Sequence, residues 1–217
     1  MLKNYRAHIA VAGNIGSGKT TLTSMLAKHY GWVPEFENVD DNPYLPDFYA
    51  DMEKWAFHLE IFFLKSRFNQ LMRIKESEKV AVQDRTIYEG AHIFTQNLYD
   101  SGLLSDTDFD TYNTLYGLMK EMIRPPELLI YLKSDIPKLV RQVGIRNRDY
   151  ESDIPTGYLQ DLNEHYEKWI SEYKEGKLLI IDVNDLDYEN RPEDFEFVLQ
   201  KVEDALSETA LESITKN

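Results

Sequence analysis

The chain of 217 residues contains no cysteine, so no disulfide framework can stabilise its fold. Basic residues are outnumbered: 24 Lys and Arg stand against 38 Asp and Glu, a formal net charge of −14. Such a surface repels phosphate polymers, and we expect no nucleic-acid partner. No apolar run approaches the length of a membrane span, and the first residues lack the pattern of a secretion signal. We therefore expect a cytoplasmic protein with no membrane partner.

The length and the hydrophobic content of 42% fit one domain over residues 1–217. Five apolar runs of strand length alternate with segments of helical period. This alternation predicts an α/β fold in which a five-stranded parallel sheet is flanked by helices on both faces. The five runs cover residues 8–13, 32–37, 79–84, 128–133 and 178–182.

Three of the intervening segments predict specific helices. Residues 52–76 hold no Gly or Pro and predict one long helix, and residues 106–123 predict another. Between them, Thr86 and Glu89 have the spacing of a capping box, which predicts a helix over 86–102.

Two further segments are predicted to lack regular secondary structure. Residues 145–155 are polar and charged, and we expect them to form a mobile lid loop between helices. Residues 207–217 are polar, and we expect this tail to fray.

A glycine-rich segment, GNIGSGKT, directly follows the first predicted strand and precedes a helical stretch. Gly13, Gly18, Lys19 and Thr20 match the P-loop pattern. The glycines let backbone N–H groups wrap phosphates, Lys19 reaches the outer phosphates, and Thr20 offers its hydroxyl to Mg²⁺. The motif therefore predicts a site for ATP and Mg²⁺. We assign the whole loop to nucleotide contacts: Gly13, Asn14, Ile15, Gly16, Ser17, Gly18, Lys19 and Thr20.

Charged residues suited to phosphoryl transfer follow two other predicted strands. Glu37 ends the second strand and could accept a hydroxyl proton, while Asp84 and Arg85 end the third and could serve Mg²⁺ and phosphate charge. Carboxyl ends of parallel strands share one edge, where ligands bind. Arg146 and Arg148 could close over a transferring phosphoryl group from the lid. Each of these residues taken alone could equally be a solvated group or a structural ion pair.

Taken together, these segments resemble the deoxynucleoside kinase family, which includes bacterial deoxyadenosine and deoxyguanosine kinases and animal deoxycytidine kinase. The resemblance covers most of the chain, in the family's order. It implies an enzyme of nucleotide salvage that transfers the γ-phosphate of ATP to the 5'-hydroxyl of a deoxynucleoside, and a homodimer formed through two long helices. It runs through GNIGSGKT, FENV, YADMEKWAFHLEIFF, DRTIYEGAHIF, RNRDYESDIP and IDVND.

The resemblance also implies roles for individual residues. Glu37 would take the proton of the 5'-hydroxyl, with Asp84 as the rival for that role. Asp84 would otherwise serve Mg²⁺ together with Thr20. Arg85 would contact the 5'-oxygen and the phosphoryl group.

The resemblance further implies which residues contact the sugar, the base and the adenine of ATP, and which form the lid. Tyr49 and Glu151 would bind the sugar 3'-hydroxyl, and Phe94 would stack on the base. Arg146 and Arg148 would be the lid arginines. Asp182, Val183 and Asn184 would form the loop that contacts the adenine of ATP.

The base-reading region departs from the family pattern. Glu60 stands where the family usually has glutamine, Arg67 is kept, and Gly90 replaces the usual aspartate partner of that arginine. Because Glu60 and Arg67 lie two helical turns apart, we expect them to pair or to read the base together. Arg67 favours a purine, deoxyadenosine or deoxyguanosine. In the lid, Gln142 replaces the first arginine.

Two other functions share the P-loop. A nucleoside monophosphate kinase resembling thymidylate kinase would not need a base at Glu37, because its acceptor is already an anion. A non-catalytic, nucleotide-gated switch would need a sensor that orients water and an exposed partner surface. The sequence shows no obvious water-positioning element near a second acidic strand end.

Overall fold

The computed structural model describes residues 7–37, 39, 41–146 and 154–215. At its centre lies a parallel five-stranded sheet with the strand order β2-β3-β1-β4-β5, which confirms the predicted fold class. The strands are β1 (His8–Gly13), β2 (Val33–Glu35), β3 (Ala81–Asp84), β4 (Leu128–Lys133) and β5 (Lys177–Asp182).

Helices cover both faces of this sheet. One face packs against α1 and α9, and the other packs against α3, α6 and α8. The helices are α1 (Lys19–Tyr30), α2 (Leu45–Ala50), α3 (Met52–Glu76), α4 (Ile87–Glu89), a π-helix (Gly90–Thr95), α5 (Gln96–Asp100), α6 (Asp106–Lys120), α7 (Ile136–Arg146), α8 (Thr156–Glu172) and α9 (Pro192–Thr215).

The central strand β1 fixes the position of the functional edge. All six of its residues are buried, because helices cover both faces of the sheet. Val11 pairs with Asp84 of β3 and with Ile130 of β4. This register places Asp84 beside the start of the glycine-rich loop.

Several predicted boundaries shift in the structure. The helix predicted over 86–102 is divided into α4, the π-helix and α5, and the one predicted over 106–123 ends at Lys120. Helix α9 continues to Thr215, through most of the segment expected to fray. Within the described residues, no helix is long and apolar enough to cross a membrane.

Candidate active site

The glycine-rich loop connects β1 to α1 in a conformation that favours glycine. Gly16 has a φ of +84°, and a Cβ there would lie 2.9 Å from the carbonyl oxygen of Leu139. Lys19 begins α1, is only 6% exposed, and donates from Nζ to the carbonyl oxygen of Asn14 at 2.9 Å. Burial, with the nearby charge of Arg85, lowers the pKa of Lys19 to about 7. The loop therefore has the backbone geometry and the cation of a phosphate cradle.

Thr20 and Asp84 form a pair of oxygen ligands beside this cradle. The Thr20 hydroxyl donates to Asp84 Oδ2 at 2.5 Å. Asp84 Oδ1 is buried and has no hydrogen-bond partner among the described residues, and burial raises the pKa of this carboxyl group. An unpartnered buried carboxylate oxygen next to a hydroxyl is an arrangement that suits a hard cation such as Mg²⁺. The pair therefore fits the predicted metal site.

Glu37 lies between two arginines. Its Oε1 accepts from Arg67 Nη2, and its Oε2 accepts from Arg85 Nε at 3.1 Å. Burial alone would raise the pKa of Glu37, but the charges of Arg85 and Arg67 outweigh burial and lower it to about 2. Glu37 is therefore ionised at neutral pH.

The expected pairing of Glu60 with Arg67 is wrong. Arg67 pairs with Glu37, whereas Glu60 accepts a hydrogen bond from the hydroxyl of Thr95, at 2.9 Å between the oxygens. Glu60 is 3% exposed, and burial raises its pKa to about 7 although Arg67 opposes the shift. A Cβ on Gly90 would lie 2.6 Å from Arg67 Nη1. The missing side chain at Gly90 therefore leaves room for the guanidinium of Arg67.

One pocket brings together the predicted residues of the acceptor side. Phe94 forms part of its wall, with the ring centre 4.3 Å from Arg85 Cζ. The predicted residues that line the pocket are Ile15, Lys19, Thr20, Glu37, Tyr49, Glu60, Arg67, Asp84, Arg85 and Phe94. The phosphate loop and the acceptor side thus share one continuous cavity.

Other residues of the pocket were not predicted. Apolar and aromatic side chains complete its wall, and Tyr158 reaches it from α8. Nothing in the local sequence distinguishes these residues from ordinary core positions. The unpredicted lining residues are Phe36, Val39, Leu45, Phe48, Leu59, Phe63 and Tyr158.

A second pocket lies on the other side of the phosphate loop. Gln142 and residues 186–189 line it, and the Tyr188 hydroxyl donates to the carbonyl oxygen of Gly18 at 3.0 Å. The predicted adenine loop, Asp182, Val183 and Asn184, lies immediately before this lining segment. The role of these three residues at the adenine remains a prediction.

The predicted lid falls largely outside the described residues. Arg148 and Glu151 lie outside them, and so does the side chain of Arg146. Their predicted roles therefore remain predictions.

A buried hydrogen-bond network connects Arg85, helix α8 and the phosphate loop. Tyr166 of α8 accepts from Arg85 Nη1 at 3.2 Å and donates to Glu89 Oε1 at 2.7 Å. The predicted capping box between Thr86 and Glu89 is present, and Glu89 Oε1 also accepts from the Gly13 backbone N–H at 3.3 Å. Spacing alone predicts the capping box, but the contacts with Gly13 and Tyr166 have no signal in the sequence.

A phosphate loop at the carboxyl edge of a parallel sheet, open to a pocket with carboxylates and arginines, defines a P-loop kinase. The family model described as deoxynucleoside kinase matches residues 9–207. The chain belongs to the deoxynucleoside kinase family, as its sequence predicts.

Individual relatives agree with this membership. The chain is 37% identical over 196 residues to a deoxyadenosine/deoxycytidine kinase of Bacillus subtilis (strain 168), covering 89% of this chain and 90% of that protein. It is 42% identical over 165 residues to a deoxyadenosine kinase of Dictyostelium discoideum, covering 76% of this chain and 67% of that protein. A deoxyguanosine kinase of Bacillus subtilis (strain 168) is 32% identical over 207 residues, covering 94% of this chain and 99% of that protein.

The fold comparison gives the same result. The structure of deoxyadenosine kinase from M. mycoides with bound dATP superposes with a TM-score of 0.80 at 27% identity, covering 91% of this chain and 99% of that one. The predicted activity is confirmed at the level of the family: the chain is an ATP-dependent deoxynucleoside kinase.

Proposed function

We propose that this enzyme transfers the γ-phosphate of ATP to the 5'-hydroxyl of a purine deoxynucleoside. One observation carries the proposal: Lys19 of the phosphate loop and Glu37 of the acceptor side line the same pocket. The remaining wall is rich in apolar and aromatic side chains, which suits a nucleoside, an acceptor without a phosphate charge.

In this proposal, Glu37 orients the 5'-hydroxyl and accepts its proton. Glu37 is ionised, but its two arginine partners make it a weak base. Phosphate oxygens beside Arg85 would share that positive charge and raise the basicity of Glu37 when both substrates are bound. Asp84 and Thr20 would hold Mg²⁺, which neutralises charge on the phosphates when bound. Lys19 and Arg85 would stabilise the charge that develops on the phosphoryl group.

Glu60 and Arg67 support the choice of a purine. Both line the pocket, and Arg67 Nη1 and Nε have no hydrogen-bond partner among the described residues. A guanidinium can donate to purine N7 or O6, whereas pyrimidines offer fewer such acceptors. The names of the relatives include deoxyadenosine and deoxyguanosine, and one includes deoxycytidine.

A homodimer in the cytoplasm completes the proposal. Helix α6 and the turn after it carry three exposed apolar side chains, Leu115, Leu118 and Met122, with exposures of 37%, 59% and 54%. Apolar groups clustered in this way are suited to a subunit contact.

The test is a phosphorylation assay with ATP and Mg²⁺ in which the acceptor is varied. We expect turnover with purine deoxynucleosides, little turnover with nucleoside monophosphates or with water, and none in Lys19→Ala. Lys28→Ala, at the other end of the same helix, is the matched control and should keep activity. Preference for thymidine or deoxycytidine would refute the purine assignment. Preference for a monophosphate would favour the thymidylate-kinase-like alternative, and hydrolysis without an acceptor would favour the switch.

The variants Glu37→Gln and Asp84→Asn distinguish the roles of the two carboxylates. Glu37→Gln should lower kcat by about two to four orders of magnitude, the scale of a lost general base, with little change in ATP binding. Asp84→Asn should instead raise the Mg²⁺ concentration needed for half-maximal activity. Titrating Mg²⁺ in both variants checks the assignment, and the opposite pattern would exchange the two roles.

A further inference from the structure

Arg85 is contacted on three sides within its pocket. Glu37 accepts from Nε, Tyr166 accepts from Nη1, and the Phe94 ring lies against the guanidinium face. No side chain among the described residues hydrogen-bonds to Nη2, which leaves this nitrogen for a ligand oxygen. The direction in which Nη2 points depends on the groups that hold Nε and Nη1.

Tyr166 is placed to fix this direction. Its side chain is fully buried, and its hydroxyl accepts a hydrogen bond from Arg85 and donates one to Glu89. Burial raises the pKa of Tyr166 well above its usual range, so the hydroxyl keeps the proton that it donates. A buried hydroxyl with both bonds made has one preferred orientation.

Glu89 anchors Tyr166 to the rest of the site. This carboxyl group is completely buried and accepts four hydrogen bonds: from the Gly13 N–H, from the Tyr166 hydroxyl, and from the backbone N–H and hydroxyl of Thr86. Gly13 opens the phosphate loop, and Thr86 directly follows Arg85. Glu89 therefore ties the arginine, through Tyr166 and through the backbone, to the loop that would hold the phosphates.

We propose that Tyr166 and Glu89 are positioning residues that hold the Arg85 guanidinium in register with the phosphate loop during phosphoryl transfer. Neither residue lines the pocket. They act through Arg85, and the inference rests on the proposed role of that arginine at the phosphoryl group.

The main test is Tyr166→Phe, which removes only the hydroxyl. A lost hydrogen bond to a charged group should lower kcat by about tenfold to a hundredfold. The KM for ATP and the KM for the deoxynucleoside should stay within about twofold, because the contact matters in the transition state. The matched control is Tyr131→Phe. Tyr131 stacks on Tyr166 with ring centres 5.7 Å apart, but its hydroxyl donates to Glu167, away from the site. The control should keep the wild-type kcat.

A double-mutant cycle distinguishes positioning from a general effect on folding. Because Tyr166 acts through Arg85, Tyr166→Phe should cause no further loss of kcat in an Arg85→Lys background. If Tyr166→Phe does not fold, Glu89→Gln serves as a second variant. It should show the same loss of kcat. Thermal unfolding establishes that each variant is folded.

These experiments distinguish failure of the positioning role from failure of the proposed function. If the wild type phosphorylates no deoxynucleoside, the proposed function fails. If the wild type is active and folded Tyr166→Phe matches its kcat, only the positioning role is overturned. Additive losses with Arg85→Lys, or an equal loss in Tyr131→Phe, would overturn it as well.

Discussion

At the scale of single residues, Glu60 changes charge near neutral pH because burial raises its pKa to about 7. Below that pH its carboxyl group is neutral and can both donate and accept, as the N1 and N6 edge of adenine requires. Above that pH it is ionised and only accepts, which matches the N1–H and N2–H of guanine. The charge of one side chain would thus bias the choice between two purines.

We therefore predict that kcat/KM for deoxyadenosine relative to deoxyguanosine falls by roughly tenfold or more between pH 6 and pH 8. Lys19 also has a pKa lowered to about 7, but its titration affects both substrates alike and cancels in the ratio. Glu60→Gln carries an amide that does not titrate, so its ratio should be independent of pH. A wild-type ratio that does not change with pH would show that Glu60 does not read the base.

At the scale of elements, the π-helix matters because it brings Gly90 against Arg67 and Thr95 against Glu60. In Gly90→Ala the new methyl group would lie 2.6 Å from Arg67 Nη1, so the guanidinium must move. We expect the KM for the deoxynucleoside to rise about tenfold, the scale of a modest overpacking cost, while the KM for ATP stays the same. Gly117→Ala in α6 is the control, because nothing lies within 4 Å of its added Cβ. It should keep activity and slightly raise the melting temperature.

The elements also show which parts of the site a sequence can predict. The phosphate loop is contiguous in the chain, and each of its residues has a chemical requirement that limits the choice of side chain. The spacing of Glu60 and Arg67 correctly placed them on one helix. It could not show that Glu37, 30 residues before Arg67, takes the guanidinium. The contact between Tyr166 and Glu89 joins residues 77 positions apart, and such contacts depend on how whole elements pack.

At the scale of the whole molecule, the exposed apolar residues of α6 give a prediction about assembly. Light scattering during size exclusion should give twice the mass of one chain for the wild type. Leu118→Glu, at a 59% exposed position, should shift the mass toward that of the monomer, because a charge in an apolar contact is costly. Phe197→Glu on α9 alters a 47% exposed residue on the other face of the sheet and should leave the mass unchanged. A wild type of single-chain mass would refute the dimer.

Arg85 also has a consequence for how the enzyme can change over evolution. Among the described residues it is the one non-glycine with a positive φ, at 68°. Such a backbone conformation in an arginine costs about 1 kcal/mol or more. Glycine or asparagine would relieve this backbone cost, but either would remove the buried guanidinium that pairs with Glu37. Because the loss of one partner of a buried ion pair costs about 3 to 5 kcal/mol, more than the backbone conformation does, selection for heat resistance should keep the arginine as selection for turnover does.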